Sequence, residues 1–273
     1  VLKNAAIGIF DSGIGGLTVL QQVAHLLPHE RLVYLGDTAR CPYGTKSPDI
    51  VAQYACENSD FLVERGIKML VVACNTVSAV ALEALRERYQ MPVIGVIEPG
   101  AQAALGCSTN RRIGVIGTEA TIASRAYTRA LRTLDPDVEI YTRPCPLFVP
   151  LVEEGWVENE VARLTVAAYL GSLKRSGIDT LILGCTHYPL LKNVIAAFLG
   201  DGVRLVDSAE ETARVVKATL LSKDLVRHNI PGDLHGASHG ESSFFVTDMP
   251  DQFVKVGARF LGEVVESAVR IER

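Results

Sequence analysis

The chain has no excess of positive charge, no closely paired cysteines, no apolar run of membrane length, and few aromatic residues (6%). Twenty-seven Lys and Arg stand against 31 Asp and Glu, for a formal net charge of -4. That balance offers no general attraction for phosphate backbones or anionic lipid, so neither nucleic acid nor a membrane is expected as a partner. Val1 to Phe10 lacks the apolar core of a signal peptide, and later apolar runs stop well short of about 20 residues. A cytoplasmic protein is expected. The six cysteines, at 41, 56, 74, 107, 145 and 185, include no C-x-x-C and no dense spacing, which excludes a secreted disulfide framework and favours reduced thiols.

Cofactor signatures are also missing. Gly13-Ile14-Gly15-Gly16 lacks the Lys-Ser/Thr of a P-loop and the last glycine of a dinucleotide fingerprint, and Asp11 would repel a phosphate. Lys68, Lys174 and Lys192 show no phosphate cradle of the kind that accompanies a Schiff-base lysine, so the chemistry is expected to proceed without a cofactor. His235, His239 and Glu241 sit in a stretch rich in Gly and Ser with no matching ligand elsewhere, and read as a solvated loop rather than a metal site.

What is present is an ordinary globular composition, 48% apolar and 21% charged, on 273 residues, enough for one large or two modest domains. Short aliphatic runs end near Phe10, Leu35, Ala73, Val96, Ile116, Tyr141, Leu183 and Val206. Between them run segments of helical periodicity: 17–27, 48–65, 78–89, 121–134, 158–175, 190–198 and 210–221. Continuous apolar strands alternating with helices indicate an α/β fold with mainly parallel sheets.

Four strand-end motifs occur twice in the same order. Ile7-Gly8-Ile9-Phe10-Asp11-Ser12 matches Ile113-Gly114-Val115-Ile116-Gly117-Thr118, and Cys41-Pro42 matches Cys145-Pro146. Val71-Val72-Ala73-Cys74-Asn75-Thr76 matches Leu181-Ile182-Leu183-Gly184-Cys185-Thr186, and Val96-Ile97-Glu98 matches Leu205-Val206-Asp207. About 66 residues separate Gly8 from Cys74 and about 71 separate Gly114 from Cys185, a drift that loop insertions accommodate. Ligands of parallel α/β sheets bind beyond the carboxyl ends of the strands, so a duplication predicts two facing half-sites.

Any single cysteine is more simply read as a small buried hydrophobe, and Cys56 and Cys107 are left as that. Cys74 and Cys185 differ because they occupy equivalent places. Each ends an apolar run and precedes a turn opening a helix, with Ser78 as a cap in one case and Pro189 in the first turn of the other. The helix dipole there is expected to lower the thiol pKa toward neutrality. Two opposed acid-base groups suit a racemisation, which removes a proton from one face of a carbon and returns one to the other. Asp11 and His187 are candidate helpers for Cys74 and Cys185 respectively. Ser12, Asn75, Thr76, Thr118, Thr121 and Thr186, with the backbone of Tyr43 and Gly44, supply donors for a small diacid. A hydrolase or decarboxylase using one cysteine, and a non-catalytic amino-acid-binding module, remain open on these residues alone.

The motifs G-I-F-D-S-G-I-G-G-L (Gly8 to Leu17), D-T-A-R-C-P-Y-G (Asp37 to Gly44), A-C-N-T (Ala73 to Thr76), V-P-L-V-E-E-G (Val149 to Gly155) and G-C-T-H-Y-P-L (Gly184 to Leu190) resemble those of bacterial glutamate racemases. The resemblance runs from about Ile7 to Glu211 and assigns little to the tail after Leu221. It implies two α/β domains related by a pseudo-twofold axis with the active site between them, the first discontinuous (1–98 plus 209–273) and the second 99–208. It implies that Cys74 serves D-glutamate, aided by Asp11, and that Cys185 serves L-glutamate, aided by Glu153 and His187. Asp37 is similar to a further carboxylate of the catalytic set, and Pro42 joins Tyr43 and Gly44 at the substrate. A homodimer and a supply of D-glutamate for peptidoglycan are also implied. Some members of the family carry an N-terminal extension linked to control by a cell-wall precursor; the first motif here begins at Ile7, so that control is not expected. Aspartate racemases and related decarboxylases share the two-half-site plan, while the Thr-His after Cys185 and D-S-G-I-G-G favour glutamate.

Overall fold

A computed structural model describes residues 2–227 and 242–272; His235, His239 and Glu241 fall outside the described residues. Among the described residues ten strands form two sheets. β1 (Ile7–Asp11), β2 (Leu32–Gly36), β3 (Met69–Val72), β4 (Val93–Gly95), β9 (Ser242–Val246) and β10 (Val269–Arg270) make one, in the order β10-β9-β2-β1-β3-β4. The second contains β5 (Arg112–Gly117), β6 (Glu139–Pro144), β7 (Thr180–Gly184) and β8 (Arg204–Asp207), in the order β6-β5-β7-β8. All pairings are parallel. The second order repeats β2-β1-β3-β4 strand for strand, as the duplicated motifs predict.

The reason lies in burial. β1, β3 and β7 are buried along their whole length, and they are the uninterrupted apolar runs of the sequence. β6 lies at an edge and mixes exposed with half-buried positions. Parallel pairing demands crossovers, and the described residues contain twelve helices, ten of which supply them while α5 and α11 lead from one sheet to the other: α1 (Leu17–Leu26), α2 (Pro48–Val63), α3 (Asn75–Val80), α4 (Leu82–Arg88), α5 (Ile97–Cys107), α6 (Glu119–Ala123), α7 (Ala126–Leu134), α8 (Phe148–Glu153), α9 (Glu160–Arg175), α10 (Lys192–Leu199), α11 (Ser208–Ser222) and α12 (Pro250–Leu261). One apolar core runs through both halves, including Leu17, Val71, Val96, Ile116, Tyr127 and Tyr188. A second, on the other face of the first sheet, gathers Phe10, Leu62, Leu70, Val72 and Leu85.

Helix starts coincide with strand ends. The Thr118 hydroxyl accepts the N–H of Thr121 at 3.2 Å, and Asp207 accepts that of Ala209 at 2.9 Å. Polar residues that cap helices therefore line the carboxyl edge of each sheet. At the opposite edge Lys68, fully buried, donates to Glu30 and to the carbonyls of Lys3 and Leu225, locking β3 to both flanking segments.

Several expected boundaries shift for local reasons. The segment 78–89 is two helices, because Ser78 does not cap one: its hydroxyl donates to Val72 O at 3.0 Å and accepts Val96 N–H at 3.3 Å, and the chain breaks at Ala81. The segment 121–134 breaks at Arg125, whose φ is 56°. α5, absent from the expected helices, carries Pro99 in its first turn, where a proline forfeits no hydrogen bond. The tail after Leu221 contributes more than expected, since β9 pairs with β2 and α12 packs into the core through Phe253 and Phe260. No helix among the described residues is long and apolar enough to cross a membrane.

Candidate active site

Cys74 caps α3, two residues beyond β3, in an extended conformation (φ −67°, ψ 119°). Cys185 follows β7 and opens the 3-10 turn Tyr188–Leu191, with Pro189 in its first turn. Both are buried and all six cysteines are free thiols. Asp11 ends β1, 1% exposed, close enough to raise the thiol pKa of each through its charge.

Burial decides the electrostatics. It pushes the Cys74 thiol up to about 11, with the Asp11 charge adding to it, while Ser12 and the Val77 N–H pull the other way. Cys185 is raised further, first by burial; the His187 N–H opposes this and Asp11, Cys74 and Cys41 add to it. The expected lowering by helix ends is therefore overturned: α3 is only six residues long and the turn after Cys185 is a single 3-10 turn, so each dipole is too small to offset desolvation. Asp11 is itself raised by burial, opposed chiefly by the nearby His187 and by backbone N–H groups. Its Oδ2 accepts Gly13 N–H at 3.0 Å, while its buried Oδ1 has no partner.

On the other side His187 Nδ1 lies 3.9 Å from Cys185 Sγ, and Nε2 lies 3.0 Å from Glu153 Oε1. Thiol, imidazole and carboxylate thus form a line of contacts running outward, since the Glu153 side chain is 41% exposed. Glu153 rather than Glu154 makes the contact because it closes α8 facing the turn.

Donors gather from both halves. The hydroxyls of Thr76, Thr118 and Thr121 form a triangle with edges of 3.0, 2.9 and 3.3 Å. Tyr127 donates to Asn75 Oδ1 at 2.7 Å, leaving the buried Asn75 amide nitrogen without a partner. Gly15 abuts Thr186 and His187 so closely that a Cβ would lie 2.3 Å from Thr186 Oγ1. A buried acceptor, Asp11 Oδ1, and a buried donor, the Asn75 amide, are both without a partner beside the two thiols, an arrangement suited to a small molecule that carries both a hydrogen-bond donor such as an ammonium and an acceptor such as a carboxylate.

Residues 15–216 match the family model for Asp/Glu/hydantoin racemases. The chain belongs to that family. A glutamate racemase of Geobacter metallireducens is 56% identical over 257 residues, covering 94% of this chain and 93% of its own. The crystal structure of a glutamate racemase isoform from Bacillus anthracis superposes with a TM-score of 0.93 at 40% identity, over 99% of this chain and 98% of that one. The Francisella tularensis glutamate racemase, solved in complex with D-glutamate, has a TM-score of 0.90 at 37% identity, over 99% and 98%. As a racemase-family protein the chain is an isomerase.

Within this racemase-family site, not every expected residue meets the thiols. Asp37 is fully buried, and its oxygens accept from Arg40 at 2.7 Å, Thr247 at 2.9 Å, Asn58 at 3.4 Å and the Tyr43 hydroxyl. Its hydrogen bonds run to these groups, which order the loop after β2, and to neither thiol. Tyr43 consequently turns its phenol toward Asp37, leaving its backbone for the site, and Pro42 is exposed. Gly44 brings that loop against Thr118, where a Cβ would come within 2.8 Å.

Three contributors were not anticipated. Cys41 lies against Gly13 and feels the charges of Asp11, Glu153 and Cys74, whereas its repeat equivalent Cys145 is wholly buried in the core that runs through both halves. Tyr34 donates to Gly13 O at 2.9 Å and supports the loop bearing Ser12. Tyr127 orients Asn75 across the two halves. Only Cys41 carried a signal, its place in D-T-A-R-C-P-Y-G; the tyrosines look like core residues.

Proposed function

We propose that this chain interconverts L- and D-glutamate without a cofactor, by two-base proton transfer between Cys185 and Cys74. The observation that carries the reading is the pair of buried thiols at equivalent strand ends of two like sheets, one beside a carboxylate and the other beside a His-Glu pair. The 56% identity to a glutamate racemase favours glutamate as substrate. The Cys185 thiolate takes the α-proton of L-glutamate, the electron pair remains on the carbon and its carboxylate, and the Cys74 S–H delivers a proton to the opposite face. The product is D-glutamate, with Cys185 protonated and Cys74 as thiolate; the reverse reaction exchanges the roles.

Because burial keeps both thiols protonated in the free enzyme, one must lose its proton once substrate is bound. Asp11, whose Oδ1 is unpartnered, and His187, backed by Glu153, are the acceptors on the two sides. Ser12, Asn75, Thr76, Thr118, Thr121 and Thr186, with the backbone of Tyr43 and Gly44, hold the two carboxylates and the charge that builds beside one of them. The domain division is taken as 1–98 plus 209–273 and 99–208, with the active form a cytoplasmic homodimer supplying D-glutamate to peptidoglycan.

The test is loss of circular dichroism from pure L-glutamate, and separately from D-glutamate, by purified protein with no added cofactor, with L-aspartate in parallel. Decay to zero from both glutamate enantiomers and none from aspartate is expected. Cys74→Ala and Cys185→Ala should each abolish the decay and still bind glutamate. Turnover of aspartate alone, or a single-cysteine variant racemising near the wild-type rate, contradicts the reading.

A further inference from the structure

α12 comes from the part of the chain after residue 241, yet its last turn reaches the His187-Glu153 pair of the second half. Phe260, 2% exposed, sets its ring edge-on to the His187 imidazole, with centroids 5.1 Å apart and planes at 81°. One residue earlier, Arg259 Nη1 donates to the backbone carbonyl of Glu153 at 2.6 Å. That carbonyl closes α8, where the last carbonyls have no partner within the helix, and the guanidinium supplies one. Gly155 ends the same helix at φ +77°, and a Cβ there would stand 3.1 Å from the guanidinium carbon, so the bare glycine makes room for it.

Consecutive residues therefore touch both members of the pair. Phe260 fixes the tilt of the imidazole, and Arg259 anchors the backbone from which the Glu153 carboxylate projects. We propose that Arg259 and Phe260 are positioning residues for proton transfer on the Cys185 side, making α12 a clamp from one half of the molecule onto the proton relay of the other. The proposal rests on the reading that Cys185 and His187 handle the α-proton of L-glutamate.

Because the enantiomers have equal free energy, any variant must lower kcat/KM equally in both directions. Isotope effects can still report which side has slowed. Deuterium at Cα of L-glutamate labels abstraction by Cys185, and deuterium at Cα of D-glutamate labels abstraction by Cys74. Arg259→Ala, a surface change, should lower kcat about fivefold, with KM altered less than about twofold. The primary isotope effect on kcat/KM should rise with labelled L-glutamate and fall with labelled D-glutamate. Arg259→Lys should recover most of the rate, since an ammonium can donate to the same carbonyl, and Phe260→Leu should show the same asymmetry. Isotope effects that stay unchanged or move together, or a lysine variant as slow as the alanine one, overturn the proposal. Failure of the wild-type protein to racemise glutamate would instead overturn the functional reading beneath it.

Discussion

Replacing Gly15 by alanine is the sharpest steric probe of the site. The added methyl would stand 2.3 Å from Thr186 Oγ1, 2.4 Å from His187 Nδ1 and 2.6 Å from His187 Cε1. Ordinary contacts need about 3.5 Å, so the imidazole or the loop before α1 must give way by about 1 Å. Neither has room. His187 is 4% exposed and held by Glu153, while the Thr18 hydroxyl ties Gly15 O to Thr186 O at 2.9 and 3.2 Å. Overpacking of this kind costs about 1–3 kcal/mol of stability. A misplacement of about 1 Å at a proton carrier costs on the order of 100-fold in rate. The assay is kcat from loss of circular dichroism, with a thermal melt alongside. Gly106→Ala serves as control, because nothing lies within 4 Å of the new methyl and the site is helical; its rate should be unchanged and its stability equal or up to about 1 kcal/mol higher. A Gly15→Ala protein with more than about half the wild-type kcat would refute the steric reasoning.

Asp11→Asn should raise stability at neutral pH while abolishing activity. Burial raises the Asp11 pKa, so ionisation is harder in the folded state than in the unfolded one. The resulting destabilisation is absent below the unfolded value, sets in as pH rises through it toward the folded value, and is fully present above that. Melts across that window should show this slope in the wild type and lose it in the variant; an unchanged slope would contradict the assignment. The Cys74 thiol, pushed up to about 11, should be alkylated by iodoacetamide at a rate rising about tenfold per pH unit between pH 7 and 10, followed by peptide mass. A plateau above pH 7 would mean a thiolate already present. Lys68→Ala, which strands buried Glu30, should cost about 3–5 kcal/mol in denaturant melts. Under conditions where it stays folded it should racemise normally; a small stability loss would show that the pair adds little.

The architecture was legible because its central strands are apolar throughout. The repeated motifs around Asp11, Cys74, Thr118 and Cys185 mark corresponding ends of two sheets with one strand order. What escaped is what sequence spacing does not encode. The Arg125 break has no glycine or proline to announce it, and Ser78 reads as a cap until its bonds to β3 and Val96 are seen. Thiol acidity was misjudged because short helix ends are visible in sequence and depth of burial is not. Asp37 is marked by its motif, while of its four partners only Arg40 and Tyr43 belong to that motif and Asn58 and Thr247 come from distant segments of chain. Arg259 and Phe260 lie outside every motif, and only the folded chain brings them to Glu153 and His187.

The opposed action of two thiols is tested most directly by a brief reaction of L-glutamate in heavy water, with both enantiomers then separated and analysed at Cα. If Cys185 removes the proton and Cys74, already exchanged with solvent, supplies the other, all D-glutamate formed in the first turnovers carries deuterium and the remaining L-glutamate carries none. D-glutamate that keeps its original hydrogen would mean that a single group serves both faces, and the two-thiol account would be wrong.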